Sequence, residues 1–364
     1  MVFNNTRLAS VAVTGVVAAA ALSGLSACGA AGGGGGSAAD CDAPLTIAHA
    51  TNEVWGLAPK LAEADGFFDE HGIEIKDQVL FEGDSQVAQA LQSGQAQVGL
   101  ASGYPVLGTL GSGRPMVMTA LLAAKETDML VAKSDIKSPQ DLEGKVMAIN
   151  DVGGGTHAAT VWALEALGVD PDDVTFTQVG AESDRLAAVI GGSAATGPVD
   201  RAQRQAIEKQ GLHVLIDLSE TDVTSAKHGV IFMQSFVDKC GDTVDAFTHA
   251  LADAQAEILN NPQRAGEVLA EWGEFDAADG VKIVEDALPL LKFQACMKPR
   301  EEAMDRSLDF LKTQNDAVKD VAAGDALTTE FTDKLDEDGT VADLGIECEL
   351  SLIHISEPTR LGMI

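Results

Sequence analysis

The stretch SQVAQALQSGQAQVGLA, residues 85–101, carries the decision about the fold. Val87, Ala90 and Leu91 share one face at helical spacing, and Ser85 is the expected cap. Gly94 ends the helix, because glycine takes the left-handed backbone of a C-cap at no steric cost. Residues 97–101 then read as a short apolar strand. About one hundred residues later SDRLAAVIGGSAATGPVD, residues 183–200, repeats this order. Ser183 to Gly192 spans the same nine positions as Ser85 to Gly94.

The match extends outward. Residues 45–48 and 146–149 are apolar strands, each followed by a helix that stops at a glycine, Gly66 and Gly168. Further strands fall at 72–75, 79–81 and 174–176. Two β-α-β-α-β units predict an α/β protein of two lobes, each a mainly parallel sheet flanked by helices. After the second unit, strands at 213–216 and 229–233 lead into helices at 243–260, 262–272, 277–291 and 300–321. Phe247, Leu251, Ala254 and Ile258 form an apolar stripe on the first of these, which suits packing back on the first lobe. The expected layout is lobe one over 44–125, lobe two over 126–217 and a helical return over 218–349. The two crossings, near 124–128 and 216–227, would form a hinge.

Both ends of the chain read differently from the body. Residues 1–27 have one Arg7 and an apolar run too short to span a bilayer, which is the pattern of an export signal. The run closes on Leu25-Ser26-Ala27-Cys28, which resembles a bacterial lipobox and makes Cys28 the expected lipidation site. Residues 28–43 are a small-residue, glycine-rich linker. Residues 350–364 look like a sequencing adapter translated in frame and are excluded from the functional reading, His354 included.

Twenty-four basic against 56 acidic residues give a net charge of −32, with 46% hydrophobic and 22% charged residues. That composition is globular, and its acidic excess disfavours nucleic acid or a polybasic membrane patch as partner. Membrane association is expected only through the lipid anchor. Cys41, Cys240, Cys296 and Cys348 suggest two disulfides, with Cys240–Cys296 and Cys41–Cys348 the expected pairing among three. No cluster has metal-ligand spacing, and nothing asks for a cofactor.

In open parallel sheets ligands bind beyond the carboxyl ends of the strands. Four loops meet that rule: 49–55, 102–104, 150–157 and 180–183. They nominate Asn52, Trp55, Ser102, Tyr104, Asn150, Gly154, Gly155, Thr156, His157 and Glu182 as ligand contacts. The run Asn150-Asp151-Val152-Gly153-Gly154-Gly155-Thr156 lets backbone N–H groups approach a ligand at a helix start, or is a plain strand-to-helix turn. Trp55 and Tyr104 are expected at the cleft rim, where a flat ring could stack. His49 and His157 offer protonated donors, while Asp151 and Glu182 would favour a cationic or polar heterocycle. Lys125 and Glu126 sit at the hinge within reach of the cleft, and Trp162 belongs to the core. A sulfonate- or nitrate-like anion would want an Arg or Lys partner, for which Arg185 offers itself, but none lies within the four loops themselves, which tilts the expectation towards a neutral or aromatic heterocycle.

Residues 55–59, 63–68 and 70–75 (WGLAP, EADGFF, EHGIEI) are similar to the opening of aliphatic-sulfonate, nitrate and taurine binding proteins, a family that includes receptors for thiamine-pyrimidine precursors. ALQSGQAQVG at 90–99 and SPQDLEGK at 138–145 resemble that family's helix–glycine–strand element and its turn into lobe two. One departure stands at Gly192–Asp200, where relatives usually carry Gly-x-Val-Asp-Ala. The resemblance implies the type 2 fold of periplasmic binding proteins. It implies a monomeric extracytoplasmic lipoprotein on the outer face of the cell membrane, or in a periplasm, that hands a small solute to the permease and ATPase subunits of an ABC importer. An enzyme of the related pyrimidine-synthase type lacks its Cys-rich segment here, so no catalytic residue is nominated. A ligand-sensing module of a membrane signalling system would use the same closing lobes.

Overall fold

The computed structural model describes residues 41–346 except Gly111 and Phe275. Cys28, Cys348 and residues 350–364 lie outside the described residues, as do the export signal and almost all of the linker. Among the described residues no helix is long and apolar enough to cross a membrane.

Among the described residues ten strands form two five-stranded sheets. In chain order they are β1 (Leu45–His49), β2 (Ile75–Leu80), β3 (Val98–Ala101), β4 (Met116–Lys125), β5 (Asp128–Lys133), β6 (Val146–Ile149), β7 (Thr175–Gln178), β8 (Thr196–Asp200), β9 (Leu212–Asp217) and β10 (Thr224–Met233). The spatial orders, β2-β1-β3-β10-β4 and β7-β6-β8-β5-β9, superimpose position by position. In each sheet the first three strands are parallel, and the fourth runs against both its neighbours. The sheets are therefore mixed, with one reversed strand each. That strand is in both cases the one made just after the chain changes sheet, β5 in the second and β10 in the first. The changes fall between Lys125 and Asp128 and between Asp217 and Thr224.

β1, β3, β4 and β8 are buried at every position, as strands covered by helices on both faces must be. This explains why β4 shows no alternation in MVMTALLAAK and is hard to recognise as a strand from its pattern. The edge strand β7 is mostly exposed. Ile47, Leu100, Phe232 and Phe247 anchor the core of the first half, and Trp162 is buried against Phe310 in a second cluster, as expected.

The duplicated helices run over Asp84–Ser93 and Glu182–Gly191. Gly94 and Gly192 close them at φ 75° and 80°. Their starts depart from expectation. Ser85 and Ser183 lie inside the first turn, and Gly83 and Ala181 hold the cap positions. Asp84 and Glu182 thus stand at the positive ends of their helices, where carboxylates are favoured. The last long helix also ends early, at Glu301–Gln314, before a separate short turn.

The disulfide pairing differs from expectation. Cys41 is bonded to Cys240, 199 positions away, with Cα atoms 5.3 Å apart. Cys296 is itself disulfide-bonded. Proximity of Cys240 to the chain start, which sequence spacing does not reveal, decides the matter.

Candidate functional site

A cavity of about 520 Å³ lies where the carboxyl ends of the parallel strands converge. This is within the range of small-molecule sites. Its wall takes the segments that follow β1, β2 and β3 in one half and β6, β7 and β8 in the other, together with Glu126 between β4 and β5, Asp128 at the start of β5, and Ser225, Lys227 and His228 on β10.

The two halves carry the same internal bond. The Asp84 carboxylate accepts a hydrogen bond from the Ser102 N–H at 3.1 Å, and the Glu182 carboxylate accepts one from the Asp200 N–H at 2.8 Å. Each donor follows its acceptor by 18 positions and sits at the end of the strand that follows the helix. In the first half the Ser102 hydroxyl also donates to Asp84. In the second the donor residue is itself an acid. Burial pushes the Asp84 carboxyl up. Burial raises Glu182 to about 7, with Asp200 and Asp128 adding to the rise and Arg185 opposing it.

The halves also touch across the cavity mouth and floor. The Trp55 indole N–H donates to Asp200 Oδ2 at 3.0 Å, and the Ser85 hydroxyl donates to Asp151 Oδ2 at 3.2 Å. A Cβ on Gly83, at φ 104°, would stand 2.6 Å from Asn150 Nδ2, so glycine permits this approach.

Lys227 on β10 is the cation of the floor. Its ammonium lies 3.0 Å from Glu126 Oε1 and 2.9 Å from Asp128 Oδ1. Those neighbours, with Glu53 and Asp200, outweigh the effect of burial and hold its pKa well above the ordinary value. Glu126 also accepts from the Ser225 hydroxyl at 3.1 Å, and burial raises its pKa. The Glu53 carboxyl is raised well above the carboxylate range by burial, then by Asp200. His228 is held neutral by burial, at about 3.

Of the nominated contacts, Asn52, Ser102, Tyr104, Asn150, Gly155, Thr156 and Glu182 line the cavity. Trp55 does not. It is buried behind the wall, and its ring edge reaches the site only through Asp200. His157 is buried as well, its Nδ1 accepting from the Gly153 N–H at 3.0 Å and its ring edge-on to Phe176 and Phe310. Burial lowers its pKa, so it is no cationic donor. Gly154 serves as the N-cap of the helix Gly155–Leu167, against Asp151. Thr156 lines the wall while its hydroxyl accepts from the Asn150 N–H at 2.9 Å, closing the loop on itself. His49 is buried, bonded to Gln78 at 2.7 Å and lowered to about 4 by burial. Lys125 turns away to the Thr221 carbonyl at 3.2 Å, whereas Glu126 does reach the cavity.

Sequence reasoning missed Glu53, Asp84, Asp128, Asp200 and Lys227, all of which line the cavity. The available signal was charge inside apolar strands: a lysine in TSAKHGVIFM, an aspartate opening β5 and another closing β8. Arg185, just beyond the nominated loops, stands in the wall, and Lys227, from a strand outside them, joins it.

Three comparisons bear on this geometry. The chain is 28% identical over 222 residues to the taurine-binding periplasmic protein of Escherichia coli, covering 60% of this chain and 67% of that protein. The periplasmic aliphatic sulphonate binding protein of Escherichia coli superimposes with a TM-score of 0.61 at 17% identity, covering 77% of this chain and 95% of that one. The periplasmic nitrate-binding protein of Synechocystis PCC 6803 superimposes with a TM-score of 0.65 at 14% identity, covering 84% and 91%. The fold is that of the type 2 periplasmic binding proteins. Residues 60–265, more than half of the chain, match the model of the NMT1/THI5 like family, and the protein belongs to that family.

Proposed function

We propose that the protein is the extracytoplasmic solute-binding component of an ABC importer, a receptor with no catalytic step. The observation that carries this reading is the single arrangement of the cavity. Six strand ends from two duplicated sheets surround it, the chain crosses between the sheets twice among the described residues, and hydrogen bonds join the lips. Such a body closes on a ligand by rotation about the two crossings, and the ligand's contacts with both halves favour the closed state. The relatives named for taurine, sulphonate and nitrate supply the functional class. On this reading the partners are a small organic solute and the permease and ATPase subunits. The receptor acts as a monomer, held to the membrane through a lipid on Cys28. The segments 44–125, 126–217 and 218–349 move as two lobes.

Small-angle scattering with thermal unfolding tests it. A small solute that raises the melting temperature in proportion to the logarithm of its concentration should also leave the radius of gyration at its compact value. Disruption of the gene should abolish uptake of that solute. Catalytic turnover of the solute by the purified protein, or uptake unchanged by the disruption, would refute the receptor reading.

A further inference from the structure

Eight residues of the cavity wall are Asp or Glu, and two are Lys or Arg. Both cations are already engaged. Lys227 is paired with Glu126 and Asp128. Arg185 spends Nε on the Pro198 carbonyl at 3.2 Å and Nη1 on the Gly180 carbonyl at 2.8 Å. A solute anion entering here would meet a lysine already paired with two acids, an arginine whose Nε and Nη1 are bonded to backbone carbonyls, and an excess of carboxyl groups.

The register of β5 against β8 concentrates that excess. Asp128 and Asp200 stand directly opposite one another, which places two acids side by side on one face. Asp200 Oδ2 is held by the Trp55 indole and the Thr127 hydroxyl, at 3.0 and 2.9 Å. Asp128 Oδ1 faces Lys227, but its Oδ2 is buried with no hydrogen-bond partner, in a residue only 4% exposed. A buried carboxylate oxygen left without a donor is costly and marks a place that a ligand donor completes. The Glu53 carboxyl, on the same stretch of wall, makes no hydrogen bond among the described residues. Its charged neighbours are Asp200, Lys227, Glu182 and Asp128.

We propose that the cavity binds a small organic cation, its ammonium or amidinium group donating to Asp128 Oδ2 and the Glu53 carboxyl. This rests on the reading of the cavity as a ligand site and names its ligand class. A bound cation lets neighbouring carboxyls ionise, so binding expels protons. Glu182, faced by Arg185, Asp200 and Asp128 and titrating at about 7, reports this in the neutral range.

The test is isothermal titration of the whole protein with three ligands sharing one ring: benzylamine, benzyl alcohol and phenylmethanesulfonate. A second set of ethylamine, ethanol and ethanesulfonate covers a smaller occupant. The amine should bind at least about tenfold tighter than its neutral and anionic counterparts, and tighten about tenfold from pH 6 to pH 8, as release of one proton near pH 7 requires. Asp128→Asn and Glu53→Gln should each weaken the amine by about tenfold or more. If Asp128→Asn fails to fold, Glu53→Gln, which breaks no hydrogen bond, still decides. Tighter binding of the sulfonate or the alcohol, or amine binding that weakens as pH rises, would overturn the cation assignment and leave the receptor reading intact. Silence from all six compounds with a folded protein would also overturn the cation assignment, while the receptor reading stands or falls on the uptake measurement.

Discussion

In the first half of the fold the carboxylate at the helix start meets a serine, and in the second it meets an aspartate. Asp84 with Ser102 and Glu182 with Asp200 are the same bond at the same 18-residue spacing. Duplication preserved the backbone geometry, while the side chain at the strand end diverged. A serine there satisfies the acid with a second donor. An aspartate adds a second negative charge, which must be balanced from elsewhere. The balance comes from the other sheet, through Lys227, and from Trp55 and Thr127, which donate to Asp200. The asymmetry between two otherwise matched halves therefore locates the charge on the cavity floor.

The comparison breaks most readily at Lys227. Lys227→Met leaves Glu126 and Asp128 buried without their cation and should cost about 3–5 kcal/mol in urea unfolding. A loss below about 1 kcal/mol would mean that those acids are neutral in the folded protein. Next come the paired bonds themselves. Asp84→Ala and Glu182→Ala each strand a backbone N–H and should cost about 1–3 kcal/mol. Glu182→Ala should cost the less of the two, because it also removes repulsion with Asp200, and the reverse order would deny that the second half carries the excess charge.

A smaller effect sharpens the point through pH. Burial pushes the Glu182 carboxyl up to about 7 in the folded protein, against 4.5 for the exposed side chain. The native state therefore holds more protons than the unfolded chain between those values, and stability falls as pH rises through that window. Subtracting the profile of Glu182→Gln should reveal a fall on the order of 1–2 kcal/mol, and a flat difference would remove the basis for it. The finest measurement follows one resonance. In Asp200→Asn, which keeps an acceptor for Trp55 but discards the charge, the side-chain carbon of Glu182 should titrate below 7, and an unchanged midpoint would deny Asp200 a part in the rise and leave it to burial and Asp128.

Much of the architecture was legible because glycine stops and apolar runs are local signals. Gly94 and Gly192 close their helices as read, and seven nominated contacts fall on the cavity wall. What escaped the sequence is decided at a distance. Ser85 looks like a cap, yet Gly83 takes that position. Trp55 looks like a rim aromatic, yet its N–H is claimed by a residue 145 positions away. β4 hides its strand character because both of its faces are covered. The cavity's charge was hidden most completely, since Lys227, Asp128 and Asp200 lie in three different strands that only the fold brings together.

The sulfur bridge at Cys41 has a mechanical meaning. β1 begins a few residues beyond it and is flanked by β2 and β3 at the heart of its sheet. A pull on the chain ahead of Cys41 is diverted at the bridge to Cys240 and the long helix Gly241–Asn260. Tension is borne there by a covalent link, so the strand that supports the cavity is not peeled away when the leading segment is drawn taut.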